Sequence, residues 1–324
     1  MIARKTVIGG LLVLLLGLPA GKNSCAADKT RIAVTNFNLS FLPLGVALQR
    51  GFFKDEGLDV EVIRMNTPNT VAAMVTGEVG YTMLFGSVIR AALRGMPLRA
   101  AASLLDSPIY ALIARPEFKS LKDLKGRTVG IGNFGGTDEV TARLIFRAQG
   151  FDADREIKLL AVGTDRARLA ALKEGLVDGA ILSPPADTLG RQMGFNILTR
   201  AYEHFSFPFI GVGANLKTLK ERAQEVKKVV KSFIRANRSI RDDKDGAVKA
   251  LVEWGKIERE QARASYDSAW QVFSPDGNIS PTGLRLVVEQ AKTELKLTRD
   301  PPLSEIIDVA PLEEAQRELG IRKP

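Results

Sequence analysis

Two stretches of the chain share one pattern: Ala72-Ala73-Met74-Val75-Thr76-Gly77-Glu78-Val79 and, 98 residues later, Ala170-Ala171-Leu172-Lys173-Glu174-Gly175-Leu176-Val177. Each predicts a helix that ends at a glycine and passes through a tight turn into a strand. Any two helix–strand units look alike in this way, which is one explanation of the echo. The other is that the chain contains two similar lobes that face each other across a cleft.

Outside these stretches, short apolar runs alternate with helical patterns. Strands are predicted at 31–35, 58–64, 79–84 and 99–105, and then at 109–114, 128–131, 157–162, 179–182 and 196–199. An extended apolar run follows at 209–214, and from 218 onward the pattern is almost purely helical. Strands that alternate with helices predict an α/β fold with mixed, mostly parallel sheets. A length of 324 residues with 45% hydrophobic content suits two lobes better than one core.

Composition excludes several classes of function. One Cys rules out a disulfide framework and a cysteine-only zinc site, and one His rules out a two-histidine metal site. The net charge is +9, and basic residues concentrate at 217–241. Apolar residues recur there at helical spacing, so the basic residues are interpreted as the solvated face of a helix. Nucleic-acid binding is therefore not expected.

The N-terminus predicts a secretory signal over residues 1–26. Arg4 and Lys5 precede an apolar run at 7–18, and the small residues Ser24 and Ala26 follow it. The apolar run is shorter than the roughly 20 residues that span a bilayer, so we expect no stable membrane insertion after cleavage. An uncleaved membrane anchor and a lipid anchor on Cys25 are the alternatives. The predicted location is the periplasm.

Polar and glycine-rich loops follow the predicted strands at the points where ligands bind in open α/β sheets. The loop 132–137 offers close backbone approach and a hydroxyl at a helix N-terminus, which suits a sulfonate, carboxylate or phosphate. An ordinary turn is the alternative interpretation. No acidic residue follows at dinucleotide-binding spacing, and no Lys follows the glycines. The candidate ligand-binding residues are Asn38, Ser40, Thr67, Asn69, Gly86, Ser87, Asn133, Gly136, Thr137 and Ser183.

Three ordered segments carry a family resemblance: 51–60 (GFFKDEGLDV), 120–130 (SLKDLKGRTVG) and 172–180 (LKEGLVDGA). Their combination resembles the periplasmic solute-binding proteins of the nitrate/sulfonate/taurine ABC importers, a group that includes binders of thiamine-pyrimidine precursors. The resemblance implies the two-lobed type II periplasmic-binding-protein fold with a helical C-terminal portion. It places lobe 1 at 27–107 plus 215–324 and lobe 2 at 108–214, with a ligand trapped when the lobes close.

The expected function is therefore delivery of a small organic anion or heteroaromatic solute to an ABC importer permease by a monomeric, non-catalytic protein. A binder that serves a receptor is one alternative. The other is a pyrimidine-precursor-forming enzyme on the same fold, which would use a pyridoxal cofactor, a histidine and a cysteine-rich loop. With one His and one Cys in the chain, we expect no catalytic residue, no cofactor and no metal.

Overall fold

The structure is a computed structural model that describes residues 29–134 and 136–322. The predicted signal at 1–26 and the lipidation alternative at Cys25 lie outside these residues. The strands are β1 Thr30–Val34, β2 Val60–Arg64, β3 Tyr81–Thr82, β4 Leu98–Leu105, β5 Ala111–Ala114, β6 Thr128–Ile131, β7 Lys158–Ala161, β8 Gly179–Leu182, β9 Asn196–Arg200 and β10 Ile210–Asn215. The α-helices are α1 Leu42–Gln49, α2 Phe52–Asp55, α3 Thr67–Thr76, α4 Phe85–Leu93, α5 Thr137–Ala148, α6 Asp165–Lys173, α7 Ala186–Gln192, α8 Leu216–Glu221, α9 Ala223–Asp242, α10 Lys244–Gly255, α11 Arg259–Ala269, α12 Pro281–Leu295 and α13 Ala310–Glu318.

The strands form two five-stranded sheets of equivalent topology. The order is β2-β1-β3-β10-β4 in the first sheet and β7-β6-β8-β5-β9 in the second. In each sheet four strands run in one direction, and the fourth position holds a strand (β10 or β5) that is antiparallel to both neighbours. The predicted α/β class with mixed, mostly parallel sheets is confirmed.

The sequence echo corresponds to a repeat of structure. β6, β7, α6 and β8 begin 98 residues after β1, β2, α3 and β3, and they occupy the equivalent positions of the second sheet. Gly77 and Gly175, which end the two echoed helices, both have positive φ angles, of 81° and 72°. Such angles favour glycine because it has no Cβ. The two sheets therefore share one design, as the second explanation of the echo predicts.

Each sheet is covered on both faces by apolar side chains. Alternate residues of a strand point to opposite faces, so Ile32 and Val34 of β1 join one cluster and Ala33 joins another. In the second sheet, Leu112 and Ile113 of β5 divide in the same way. This double coverage explains why the strands have nearly continuous apolar sequences.

The C-terminal helices pack on the first sheet. The predicted apolar face of α9 is buried, but its basic residues are half-buried and not a fully solvated face as predicted. Several of them are paired: Lys231 Nζ, for example, lies 3.0 Å from Glu56 Oε1. Trp254 of α10 packs so closely on α1 that a Cβ at Gly45 would lie 2.8 Å from its ring. Among residues 29–134 and 136–322, no helix combines the length and the apolar character needed to cross a membrane.

The division into lobes at 107/108 and 214/215 remains a prediction. The strand Ile210–Asn215 pairs with β3 and β4 of the first sheet. Sheet membership therefore favours a second boundary before Ile210, whereas the family resemblance implies that lobe 2 extends to residue 214. An extended apolar run alone does not reveal which sheet it will join.

Candidate functional site

The carboxyl ends of β1, β3, β6 and β8 face a common cavity of about 500 Å³ between the two sheets. Nine of the ten candidate residues line it: Asn38, Ser40, Thr67, Gly86, Ser87, Asn133, Gly136, Thr137 and Ser183. Asn69 does not line the cavity; it is exposed in the first turn of α3, and its backbone N–H donates to Asn66 Oδ1 at 2.9 Å. The structure thus brings together polar groups from both halves of the chain.

The glycine loop leads into α5 through Gly136, which has an extended backbone with φ −83° and ψ 159°. The ordinary left-handed turn considered from sequence is therefore not found at Gly136. Glycine is required there by space, because a Cβ would lie 2.5 Å from Asp138 Oδ1 and 3.0 Å from Asn133 O. The Thr137 carbonyl accepts a hydrogen bond from Thr141 Oγ1 at 2.7 Å, while the Thr137 residue itself lines the cavity.

A carboxylate of the protein already occupies part of the predicted anion site. Asp138 accepts a short hydrogen bond from the backbone N–H of Gly132, and its Oδ2 lies 3.1 Å from Arg168 Nη1. The predicted site uses the backbone N–H groups of the loop and of the α5 start to attract an anion, and the N–H of Gly132, at the beginning of the loop, is already satisfied internally. A ligand anion at this loop would also meet the charge of Asp138. The loop is therefore less suited to a free sulfonate, carboxylate or phosphate than the sequence predicts, because Asp138 already uses part of it.

Arg168 holds the second sheet's side of the site together. Only 5% of the residue is exposed, and its guanidinium contacts Asp138, Gly163 O at 2.6 Å and Asp165 Oδ1 at 2.6 Å. Asp165 in turn accepts the backbone N–H of Ser183 at 2.9 Å and its hydroxyl at 2.8 Å. Because the Ser183 proton is used in this bond, its oxygen faces a ligand as an acceptor.

Arg90 and Tyr110 also line the cavity and were not predicted from sequence. Arg90 lies on α4, about one turn after Ser87 of the same helix. Its Nη2 donates to Ser87 Oγ at 3.3 Å, and its Nη1 lies 3.7 Å from Glu294. Burial raises the pKa of Tyr110, and the carboxylates of Asp138 and Asp165 raise it further. The tyrosine hydroxyl therefore keeps its proton and serves as a donor. Arg90 could have been predicted from its spacing, because residues three positions apart in a helix lie on the same face and Arg90 follows Ser87 by three.

The cavity wall therefore carries mixed charge. Asp138 and Asp165 oppose Arg90, which is itself near Glu294. Among the described residues, the cavity lining contains no lysine, histidine or cysteine, and no group of three His, Cys, Asp or Glu residues is arranged to hold a metal ion. Hydroxyl, amide and tyrosine groups supply most of the hydrogen-bonding capacity.

The two chain segments that connect the sheets are bonded to each other. Ser206 Oγ donates to Asp106 O at 2.6 Å, and Ser107 Oγ donates to Phe205 O at 3.1 Å. The Asp106 carboxylate accepts a hydrogen bond from Ser103 Oγ at 2.8 Å. We call residues 106–107 and 205–206 the hinge pair. They lie side by side next to the cavity residues Ile109 and Tyr110.

Burial of Asp106 predicts a pH-dependent stability. Burial raises the pKa of this carboxyl from 3.8 to about 6, so the folded state binds more protons than the unfolded state between these values. Stability is therefore lost as the pH rises from about 4 to about 6. Asp106→Asn is expected to remove this loss. The difference in free energy of unfolding between the variant and the wild type should therefore be roughly 2–3 kcal/mol more favourable to the variant at pH 7 than at pH 4. Urea unfolding of both proteins at pH 4 and pH 7 measures this difference. An equal difference between variant and wild type at the two pH values would contradict the prediction.

These features define a class of protein: a two-lobed α/β protein of the periplasmic-binding-protein type. Within this class, the chain belongs to the NMT1/THI5-like family, whose model matches residues 38–247, more than half of the chain. The resemblance of the three sequence segments is thereby confirmed.

Two similar relatives are binding proteins. The chain is 25% identical over 206 residues to the riboflavin-binding protein RibY of Chloroflexus aurantiacus, a match that covers 61% of this chain and 58% of RibY. It is 25% identical over 181 residues to the formylaminopyrimidine-binding protein of Halalkalibacterium halodurans, covering 53% and 54%. The matches thus span little more than half of these two relatives.

Other comparisons give an enzyme and a solved structure. The 4-amino-5-hydroxymethyl-2-methylpyrimidine phosphate synthase THI11 of Saccharomyces cerevisiae is 28% identical over 122 residues, which covers 35% of this chain and 36% of that protein. The crystal structure of the periplasmic aliphatic sulphonate binding protein SsuA from Escherichia coli superimposes with a TM-score of 0.70 at 15% identity, covering 86% and 92% of the two chains. At this identity the likeness concerns the fold.

Proposed function

We propose that this protein is an extracytoplasmic solute-binding protein that captures a small molecule between its lobes and delivers it to an ABC importer without transforming it. The observation that carries the proposal is the convergence of nine predicted residues from both sheets on one cavity. The family membership supports it, and so does the fact that the two bacterial relatives are named as binding proteins. Export through the signal at 1–26 is part of the proposal.

The cavity favours a heteroaromatic ligand with N–H donors over a free inorganic anion. Asp138, Asp165 and the Ser183 oxygen offer acceptors, and the hydroxyl of Tyr110 offers a donor. A strongly anionic ligand would approach two carboxylates whose charge Arg168 already balances in part, while Arg90, which lines the cavity itself, has Glu294 beside it. The riboflavin and formylaminopyrimidine bound by the relatives are consistent with this chemistry.

A non-catalytic role is part of the same proposal. The cavity carboxylates are bonded to Arg168, to backbone N–H groups and to the Ser183 hydroxyl, an arrangement that orients them as fixed acceptors. The yeast synthase matches about a third of the chain, so catalysis is tested directly. Incubation with pyridoxal phosphate should give no new pyrimidine product by mass spectrometry; turnover would overturn the proposal.

Binding is tested with a thermal-shift panel of pyrimidines, flavins, aromatic carboxylates, sulfonates and nitrate, followed by small-angle scattering. We expect a rise in Tm for one chemical class and a smaller radius of gyration when that ligand is bound, because ligands that bind only the folded state stabilise it. An unchanged Tm across every class would contradict the proposed function.

The Thr137 hydroxyl supplies a sharper prediction. Thr137→Val keeps the shape of the side chain and removes the hydrogen bond that the hydroxyl is proposed to make with the ligand. The loss of that bond should cost about 1.4 kcal/mol, a tenfold loss of affinity. Thr76→Val is the matched control, since Thr76 is exposed at the end of α3 and does not line the cavity. Isothermal calorimetry with the ligand found in the panel measures both variants. Equal affinities for the two would remove Thr137 from the site.

A further inference from the structure

A second cavity of about 730 Å³ adjoins the first. Four residues line both cavities: Asn36, Asn38, Asp165 and Ser183. Beyond these shared residues, the second cavity runs between α7 of the second lobe and the turn that joins α10 to α11, and α11 packs against α7. The C-terminal helices thus close a space that both lobes border.

The walls of the second cavity are largely apolar. Phe37, Leu169, Leu251 and Ile257 line it from four different segments. The Phe37 ring is held in place by an edge contact with Trp254, with ring centroids 4.7 Å apart and an interplanar angle of 87°. A fixed aromatic ring next to aliphatic walls is a surface suited to a flat apolar or aromatic group.

One buried polar group in this wall lacks a partner. Ser265 is 1% exposed and lines the second cavity, and its Oγ has no hydrogen-bond partner among the described residues. Its own carbonyl is satisfied by Ser268 Oγ at 2.8 Å. A buried hydroxyl without a partner costs about 1–3 kcal/mol. The Oγ is covered by neighbouring atoms in the orientation seen, so the small Ser265 side chain would have to turn toward the cavity to gain a ligand partner and remove this cost.

We infer that the second cavity binds an extension of the ligand: an aromatic body that contacts Phe37 and ends in a polar atom hydrogen-bonded to Ser265. The inference rests on the proposed function, because the first cavity holds the polar head. The ligand class is then an elongated solute with a polar head, an aromatic middle and a polar end. A water molecule takes up about 30 Å³ in the liquid, and a nitrate or methanesulfonate ion has only a few times that volume. Such an ion would leave the second cavity empty.

The test compares probes of different length on the full mature chain. Three head groups are used, a sulfonate, a carboxylate and an aminopyrimidine, each as its methyl, phenylethyl and hydroxyphenylethyl derivative. For at least one head group, calorimetry should give roughly tenfold tighter binding of the phenylethyl probe than of the methyl probe. The phenolic hydroxyl should add a further gain of about tenfold through Ser265.

Two variants assign these gains to the cavity. Leu189→Trp fills the cavity from its rim, where Leu189 is 40% exposed and a larger side chain fits without unfolding the core. It should remove the advantage of the long probes and leave the methyl probe unaffected. Leu176→Trp is the matched control, because Leu176 is 69% exposed and lines neither cavity. Ser265→Ala should remove only the gain from the phenolic hydroxyl.

The outcomes separate the inference from the proposed function. Equal affinity for methyl and phenylethyl probes overturns the second subsite but leaves binding in the first cavity intact. A length advantage that persists in Leu189→Trp also overturns the subsite. Failure of every head group at every length to bind the wild-type chain overturns the proposed function as well.

Discussion

Arg168→Met is expected to destabilise the protein by about 3–5 kcal/mol, the cost of removing one partner from a buried ionic network. Methionine retains much of the apolar volume of the side chain but leaves Asp138 and Asp165 without their shared cation. Asp138 is itself buried, so water cannot replace the guanidinium. The binding loop should lose its geometry together with its stability.

The same exchange at an exposed site is the control for this prediction. Arg155 belongs to the second lobe, and its side chain is 87% exposed, 3.7 Å from Asp152. Arg155→Met should change the free energy of unfolding by less than about 0.5 kcal/mol. Adding Asp138→Asn to Arg168→Met should recover part of the loss, because one uncompensated charge is removed. Equal urea midpoints for Arg168→Met and Arg155→Met would refute the structural role of the network.

Gly136→Leu is expected to weaken ligand binding by about 100-fold or more, equivalent to about 2.7 kcal/mol. Its Cβ alone would displace the Asp138 carboxylate, and the rest of the side chain would enter the cavity. The backbone at Gly136 is extended and accepts any residue, so the effect is one of space. The ligand identified in the thermal-shift panel serves as the probe in calorimetry.

Gly80→Leu is the matched control for the glycine substitution. The nearest atom to a Cβ at Gly80 is Arg31 O at 3.9 Å, and Gly80 lines neither cavity. This variant should bind the ligand as the wild type does. If Gly136→Leu also retained wild-type affinity, the loop from β6 to α5 would not be part of the binding site.

The local elements could be predicted from sequence because their ends carry local signals. The strands at 128–131 and 179–182 have the predicted bounds. Asn66 and Thr164 precede the helices α3 and α6, and each accepts a hydrogen bond from a backbone N–H of the first turn. Such caps act within a few residues, so they can be predicted from the sequence without knowledge of the tertiary structure.

The site was predicted only where it consists of the segments that directly follow strands, namely loops and the first turns of helices. Arg90 and Tyr110 enter the cavity from a helix and from a connecting segment, and their direction depends on packing between distant elements. The internal ion pair of Asp138 with Arg168 joins residues 30 positions apart. The second cavity requires helices near 251–265 to return to the loop at 36–39, a long-range contact that no local pattern specifies.

The hinge pair has a mechanical consequence. The two connecting segments run antiparallel to each other and are hydrogen-bonded through Ser107 and Ser206, so we expect them to bend together and not independently. Under the proposed function, two coupled connections favour one direction of lobe closure, so different ligands would give closed forms with similar outer surfaces. An importer that recognises this outer surface would then detect that a ligand is bound but not which ligand. Discrimination between ligands would depend on the residues that line the cavity.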